Sequence, residues 1–288
     1  MNHTKKWLSL VLALVLAIAL AVPALAAEVT WNDMAKDNSV LAPEKAYTPE
    51  SVKKALTAYS HYCDAPKGSQ AEKDAYNKEF KPAIKGLVFK AHTFKDAPSN
   101  WWNNALNYVC STGKMNGVGG GRFDPNGTMT RAMAVTVLWR MNGEPAAKAA
   151  AGFKDVPANA WYAKAVAWAV EQKITTGKSA SSFDPDSPVT REQMAAFFSR
   201  MILSLAGADA NLNLNEAKMR AALADQYSDA AKISAYALDD VLICLELGIM
   251  KGNADGTFAP LANITRAQGA QMLLNYYDFL IDASFREL

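Results

Sequence analysis

The sequence predicts an all-α protein, and three observations carry that expectation. Apolar residues recur at helical spacing, as in Ala165, Val166, Ala169 and Val170, and again in Val241, Cys244, Leu245 and Gly248. Thr130, Thr190 and Thr265 each stand as an N-cap before an apolar run. The two patterns occur together three times at nearly fixed spacing, which predicts three helix-loop-helix repeats behind a short helical N-terminal segment. Of the 288 residues, 50% are hydrophobic and 20% charged, which excludes a disordered or collagen-like chain.

At the N-terminus, Lys5 and Lys6 precede an apolar run from Leu8 to Val22, Pro23 breaks it, and Ala24-Leu25-Ala26 has the small-x-small form of a cleavage site. Residues 1–26 therefore read as a signal peptide of an exported protein. The run is shorter than the ~20 residues of a membrane span, so no stable membrane insertion is expected after cleavage. Loss of this segment takes the formal charge from +2 to zero, with 28 basic and 28 acidic side chains remaining. A neutral chain exerts no general pull on nucleic acid or anionic membrane, and any anion it binds must be met by locally placed cations.

Residues 27–92 form the N-terminal segment, with no recognisable motif. Thr48-Pro49-Glu50-Ser51 opens a helix that runs to about Tyr62. A polar break from Asp64 to Ser69 separates it from a second helical stretch, Ala71 to Phe80, whose Lys and Glu mixture reads as a solvated face. At about 65 residues the segment is too small for a catalytic domain. Cys63, Cys110 and Cys244 are odd in number and widely spaced, and read as small buried hydrophobes rather than a disulfide framework. His61 and His92 have no Cys, Asp or His at ligand spacing, so no metal or cofactor is expected. The lone Gly119-Gly120-Gly121 run is weak support for phosphate binding, and no GxSxG or P-loop occurs.

The repeats span 93–145, 152–205 and 226–284. The first carries Phe94-Lys95-Asp96, Trp101-Trp102, Gly117, Phe123-Asp124-Pro125 and Thr130-Arg131. The second carries Phe153-Lys154-Asp155, Trp161-Tyr162, Gly177, Phe183-Asp184-Pro185 and Thr190-Arg191. The third carries Tyr227-Ser228-Asp229, Tyr236, Gly252, Phe258-Ala259-Pro260 and Thr265-Arg266. From the leading aromatic to the threonine is 29 residues in every copy, from glycine to phenylalanine six, and from phenylalanine to threonine seven. The first helix of each repeat is expected to stop near Gly117, Gly177 or Gly252. A turn-rich loop follows, with Phe123, Phe183 or Phe258 plugged into the core. Gln193 and Gln268 complete capping boxes in copies two and three, whereas Met133 leaves the first cap half finished.

Arg131, Arg191 and Arg266 occupy helix first turns, where the macrodipole disfavours a cation by a few tenths to about 1 kcal/mol. Two readings stand equally. A guanidinium beside helix N–H groups forms a site for a carboxylate or phosphate; alternatively, each arginine pairs with an Asp of the neighbouring repeat. Trp101, Trp161 and Tyr236 either offer flat faces to a sugar ring or belong to the core. Gly117, Gly177 and Gly252 either allow close backbone approach or stop helices.

The pattern F-x-D, aromatic, helix, G-x-x-x-x-x-F-x-P, T-R closely resembles the S-layer homology (SLH) repeat, over roughly residues 93–284. The resemblance implies repeats closed around a pseudo-threefold axis and grooves between neighbours that bind cell-wall polymer. The implied ligand is a pyruvylated secondary cell-wall polysaccharide, met by Arg131, Arg191 and Arg266 of the T-R motif. Direct binding of peptidoglycan is a variant of this expectation. The signature T-R-A-E reads here as Thr130-Arg131-Ala132-Met133, Thr190-Arg191-Glu192-Gln193 and Thr265-Arg266-Ala267-Gln268, so its final Glu is missing throughout. The expected function is noncovalent, non-enzymatic anchoring of a secreted protein at the cell surface. The alternative is a surface-assembly protein whose partners are other surface proteins.

Overall fold

A computed structural model describes residues 30–98, 100–207 and 216–285. The signal-peptide reading falls outside the described residues. Among those described, every regular element is helical, and β-pairing is confined to isolated bridges. None of these helices is long and apolar enough to cross a membrane. The chain divides into two compact units.

One unit takes the described residues through His92, together with Leu106–Thr112 and the segment from Tyr277 onward. Its first helix, α1 (Trp31–Asp37), starts at a Thr30–Asp33 capping box. The helix expected from Thr48 is α2 (Pro49–Asp64), with proline in its first turn, where no N–H is needed. The second helical stretch runs further than its sequence suggests. α3 (Gln70–Asp74) continues through a π-helical turn, Ala75–Phe80, into α4 (Lys81–Lys85). Pro82 explains the π turn: it supplies no N–H to a regular helix, and the wider register carries the chain past it, with Lys81 N–H reaching Tyr76. The core of this unit is aromatic. Tyr59, Tyr62, Tyr76 and Phe80 pack together, and Phe89 lies against Tyr47, Tyr108 and Tyr277. The hydroxyls of Tyr47 and Tyr277 are hydrogen-bonded, and Ala42 N–H donates to Tyr47 Oη at 3.1 Å. Cys63 is exposed, unlike the buried hydrophobe expected; Cys244, in the other unit, is fully buried and fits that expectation.

The second unit, Thr93–Ala105 with Gly113–Tyr276, holds most of the three repeats, while Leu106–Thr112 of the first repeat and the end of the third are counted with the first unit. Their helix pairs are α5 (Asn103–Ser111) with α6 (Arg131–Met141), α7 (Ala163–Glu171) with α8 (Arg191–Leu205), and α10 (Leu238–Glu246) with α11 (Arg266–Ser284). A further helix, α9 (Glu216–Ala224), precedes the third pair. Apolar faces bury Ala165, Val166, Ala169, Met194, Phe198 and Met201, as the periodicity requires.

The first helices end six residues before Gly117, Gly177 and Gly252, which are therefore not the stop signals. Gly113, Lys173 and Gly248, with φ of 71°, 56° and 68°, turn the chain just after those helices. Gly117, Gly177 and Gly252 are required for another reason. A Cβ on each would collide with the ring of Phe94, Phe153 or Tyr227, at 2.9 Å for Phe94 and 2.5 Å for Phe153. Of the two readings of these glycines, close approach is the one observed; the approaching groups are the aromatic of the F-x-D motif and a loop carbonyl, the latter nearer at Gly117, where Arg122 O lies at 2.6 Å.

The repeats are linked in a closed cycle of backbone hydrogen bonds. Met129 N–H donates to Ile264 at 2.9 Å, Ile264 N–H to Val189 at 3.0 Å, and Val189 N–H to Met129 at 2.9 Å. Each link joins a different pair of repeats.

Candidate ligand-binding grooves

The carboxylate of each F-x-D motif ties down the loop of its own repeat. Asp96 accepts from Phe123 N–H and Asp124 N–H, both at 2.8 Å. Asp155 accepts from Phe183 N–H, Asp184 N–H and Ser182 Oγ–H. Asp229 accepts from Phe258 N–H at 2.7 Å and Ala259 N–H at 2.9 Å. Burial alone would raise the Asp155 carboxyl, but the Ser182 hydroxyl and the two N–H groups outweigh it and hold it at about 2. The loop so held drives Phe123, Phe183 and Phe258 to zero exposure, as expected of plugs. Residues Asp124, Asp184 and Ala259 adopt φ of 58°, 61° and 53°, the left-handed region where Asp is tolerated better than Ala.

The next repeat is engaged through the helix N-termini. Arg131 N–H donates to Ser187 and Ala132 N–H to Pro185. Arg191 and Glu192 do the same to Ala262 and Pro260, and Arg266 and Ala267 to Gly127 and Pro125. The third N–H is taken by the capping threonine, at 3.3 Å for Met133, 3.4 Å for Gln193 and 3.2 Å for Gln268. Gln193 and Gln268 close their boxes by accepting from the threonine N–H, and the first cap stays half finished, as expected. The fourth N–H returns to the threonine carbonyl. All four donors of each helix start are thus satisfied within the protein, so an anion site built on free helix N–H groups is not what these positions form.

The arginines follow the same cycle. Each is only 7% exposed. Arg131 Nε donates to the Phe183 carbonyl at 2.9 Å, Arg191 Nε to Phe258 at 2.7 Å, and Arg266 Nε to Phe123 at 2.8 Å. Arg191 and Arg266 also donate through Nη2 to Lys251 and Asn116 carbonyls, at 2.8 and 2.7 Å. The guanidinium carbons lie 4.9, 4.9 and 4.6 Å from the centroids of the same three phenylalanine rings. The inter-repeat contact anticipated for these arginines exists, but the partner is a carbonyl and a ring rather than an Asp. A hydrogen bond from a charged group contributes about 1.5–3 kcal/mol and a ring contact about 1 kcal/mol, which together exceed the macrodipole cost. Burial lowers the pKa of Arg131, and Asp184 opposes that shift; arginine remains charged.

The leading aromatics behave oppositely. Trp101 is 58% exposed, Trp161 60% and Tyr236 51%, so they are not core residues. Trp102 and Tyr162 brace the two tryptophans edge-on at centroid distances of 5.1 Å. The sequence thus brings together two layers, with arginines and loop carbonyls within and aromatics at the surface. The roles of Asp96, Asp155 and Asp229 were not anticipated, although their recurrence in all three copies was the available signal. Glu192 was also missed as a groove residue. It is 3% exposed and accepts from Ser234 N–H, Ser234 Oγ–H and Tyr236 Oη–H, at 3.0, 2.8 and 3.0 Å.

The sequence is similar to parts of several known proteins. The chain is 36% identical over 151 residues to an endoglucanase from Bacillus sp. (strain KSM-635), covering 52% of this chain and 15% of that protein. It is 29% identical over 181 residues to an amylopullulanase from Thermoanaerobacterium thermosulfurigenes, covering 63% of this chain and 9% of the other. It is 29% identical over 171 residues to the surface-layer 125 kDa protein of Lysinibacillus sphaericus, covering 58% and 13%. The chain thus spans a small part of the length of each of these relatives. The S-layer homology domain model matches residues 93–134, 152–195 and 226–270, which contain the F-x-D clamps, the loops and the T-R helix starts described above. The chain carries three tandem S-layer homology repeats.

Proposed function

We propose that this chain anchors a secreted protein noncovalently to the bacterial cell wall, with no catalytic role of its own. The ligand is a secondary cell-wall polysaccharide bearing a pyruvate ketal, bound in grooves between repeats that close around a pseudo-threefold axis. The observation that carries the reading is the exposure of Trp101, Trp161 and Tyr236 at equivalent positions of three repeats. Large aromatic side chains repeated at the surface suit stacking on sugar rings. Arg131, Arg191 and Arg266 support the groove from beneath and lend it positive potential for the ketal carboxylate. Gly117, Gly177 and Gly252 act less directly, by letting the F-x-D ring seat the loop. The relatives include proteins named as polysaccharide-degrading enzymes and a surface-layer protein, and alignments confined to a small part of each suit a shared attachment module.

Co-sedimentation with wall sacculi tests this reading. Sacculi are expected to pull down the protein, and stripping the attached polysaccharide is expected to release it. Retention on stripped sacculi would favour peptidoglycan as the ligand. The similarity to a surface-layer protein keeps one further reading in view, assembly with other surface proteins. That reading expects self-association or a protein partner in wall-free extract.

A further inference from the structure

We infer that the three grooves are unequal: the chain's own Glu192 carboxylate locks the one headed by Tyr236, leaving an anionic sugar to the grooves headed by Trp101 and Trp161. This inference rests on the glycan-binding reading above. Three donors converge on Glu192, all from the segment that presents Tyr236. The carboxylate therefore already occupies the donors that an anionic ligand would seek there. An incoming carboxylate would have to displace three hydrogen bonds to a buried charge and then sit beside it.

The neighbouring charges act in the same direction. Arg131 lies within electrostatic reach of Tyr236 and Asp184, and Asp184 is itself paired with Lys178 at 2.5 Å. Arg200, on the same helix as Glu192, is held by Asp240 at 3.2 Å. Arg200 is thus countered by an acid of the chain.

The other two grooves lack the lock. At the position of Glu192 the first and third repeats carry Ala132 and Ala267. A tryptophan heads each of those grooves, with no hydroxyl to donate to an acid. Arg191 meets the loop Phe258-Ala259-Pro260-Leu261, in which Leu261 is 60% exposed, where Arg131 meets Phe183-Asp184-Pro185-Asp186. Following the same cycle, the Trp101 groove combines Arg191 with an apolar loop, and the Trp161 groove combines Arg266 with Asp124.

Calorimetry on the full chain, with a monosaccharide carrying a cyclic pyruvate ketal as probe, tests the assignment. The wild-type protein is expected to bind two equivalents. Trp101→Ala and Trp161→Ala are each expected to remove one equivalent. Glu192→Ala is expected to raise the stoichiometry towards three. Three equivalents on the wild type, or no gain in a folded Glu192→Ala, would overturn the proposal.

A second readout needs no sugar. Burial and the Glu192 carboxylate both raise the Tyr236 phenol above its ordinary pKa, which slows tetranitromethane nitration. Peptide mass spectrometry is expected to show at least threefold faster nitration of Tyr236 in Glu192→Ala than in the wild type, and equal rates would sink the lock. No ketal binding by any form would overturn the glycan reading and the sugar assignment with it, whatever the nitration rates show of the lock.

Discussion

The second and third repeats share a skeleton and differ in how they furnish their grooves. Asp155 and Asp229 clamp their loops through the same two backbone N–H groups, and Phe183 and Phe258 are equally buried. The differences fall elsewhere. The third repeat has Tyr236 for Trp161, Ala259 for Asp184, and the buried Asp240 where the second repeat has the buried Ala165. The arginine, the clamping aspartate and the plugging phenylalanine are held in common, whereas the exposed aromatic and residues near it vary. On the reading proposed above, the arginine clamps build the ring and the exposed aromatics choose the ligand.

The largest expected effect comes from breaking the common part. Arg191→Ala removes charged hydrogen bonds to Phe258 and Lys251 and leaves the carbonyl of the buried Phe258 unmet, at a cost of about 3 kcal/mol in a denaturant titration. Loss of under 0.5 kcal/mol would show that the clamp is not what joins these repeats.

Asp240 sharpens the contrast with Ala165. Burial raises its carboxyl to about 6, with Arg200 opposing the shift. The folded protein thus holds this proton more tightly than the unfolded chain. Its contribution to stability falls as pH rises from about 4 to 6, by on the order of 2 kcal/mol, then levels off. Asp240→Asn is expected to lose that slope in melting curves taken across the window. Asp155 has the opposite sign: its stabilisation is present above the ordinary carboxylate pKa and is lost as pH falls towards 2.

Ala259 offers a smaller and favourable change. Its φ of 53° is costly for a residue with a Cβ, so Ala259→Gly is expected to stabilise the protein by about 1 kcal/mol. Substituting Asp184, at φ 61°, with glycine sacrifices its bonds to Lys178 and Ser187 and should give no such gain. Equal gains at both sites would remove this distinction between the repeats.

Legibility in the sequence followed repetition. Three copies at fixed spacing made the helix pairs, plugs and caps readable, down to the half-finished cap at Met133. The same pattern drew attention to the arginines but did not identify their partners, because a backbone carbonyl leaves no residue-specific mark in a sequence. Gly117, Gly177 and Gly252 resembled helix stops because their collision with a ring some 24 residues earlier is a tertiary fact. The aromatic core of the other unit was harder still. Tyr47 and Tyr277 lie 230 residues apart, occur once each, and have no sister copy to reveal them.

On the proposed reading, exposed aromatics touch the wall polymer while buried arginines hold the grooves. The direct measurement is sacculus co-sedimentation of a Trp101→Ala, Trp161→Ala double variant, with its melting temperature taken in parallel. Because both side chains are exposed, stability should stay within about 0.5 kcal/mol of the wild type. A folded double variant left in the supernatant is the expected result. One that sediments as fully as the wild type would contradict the account.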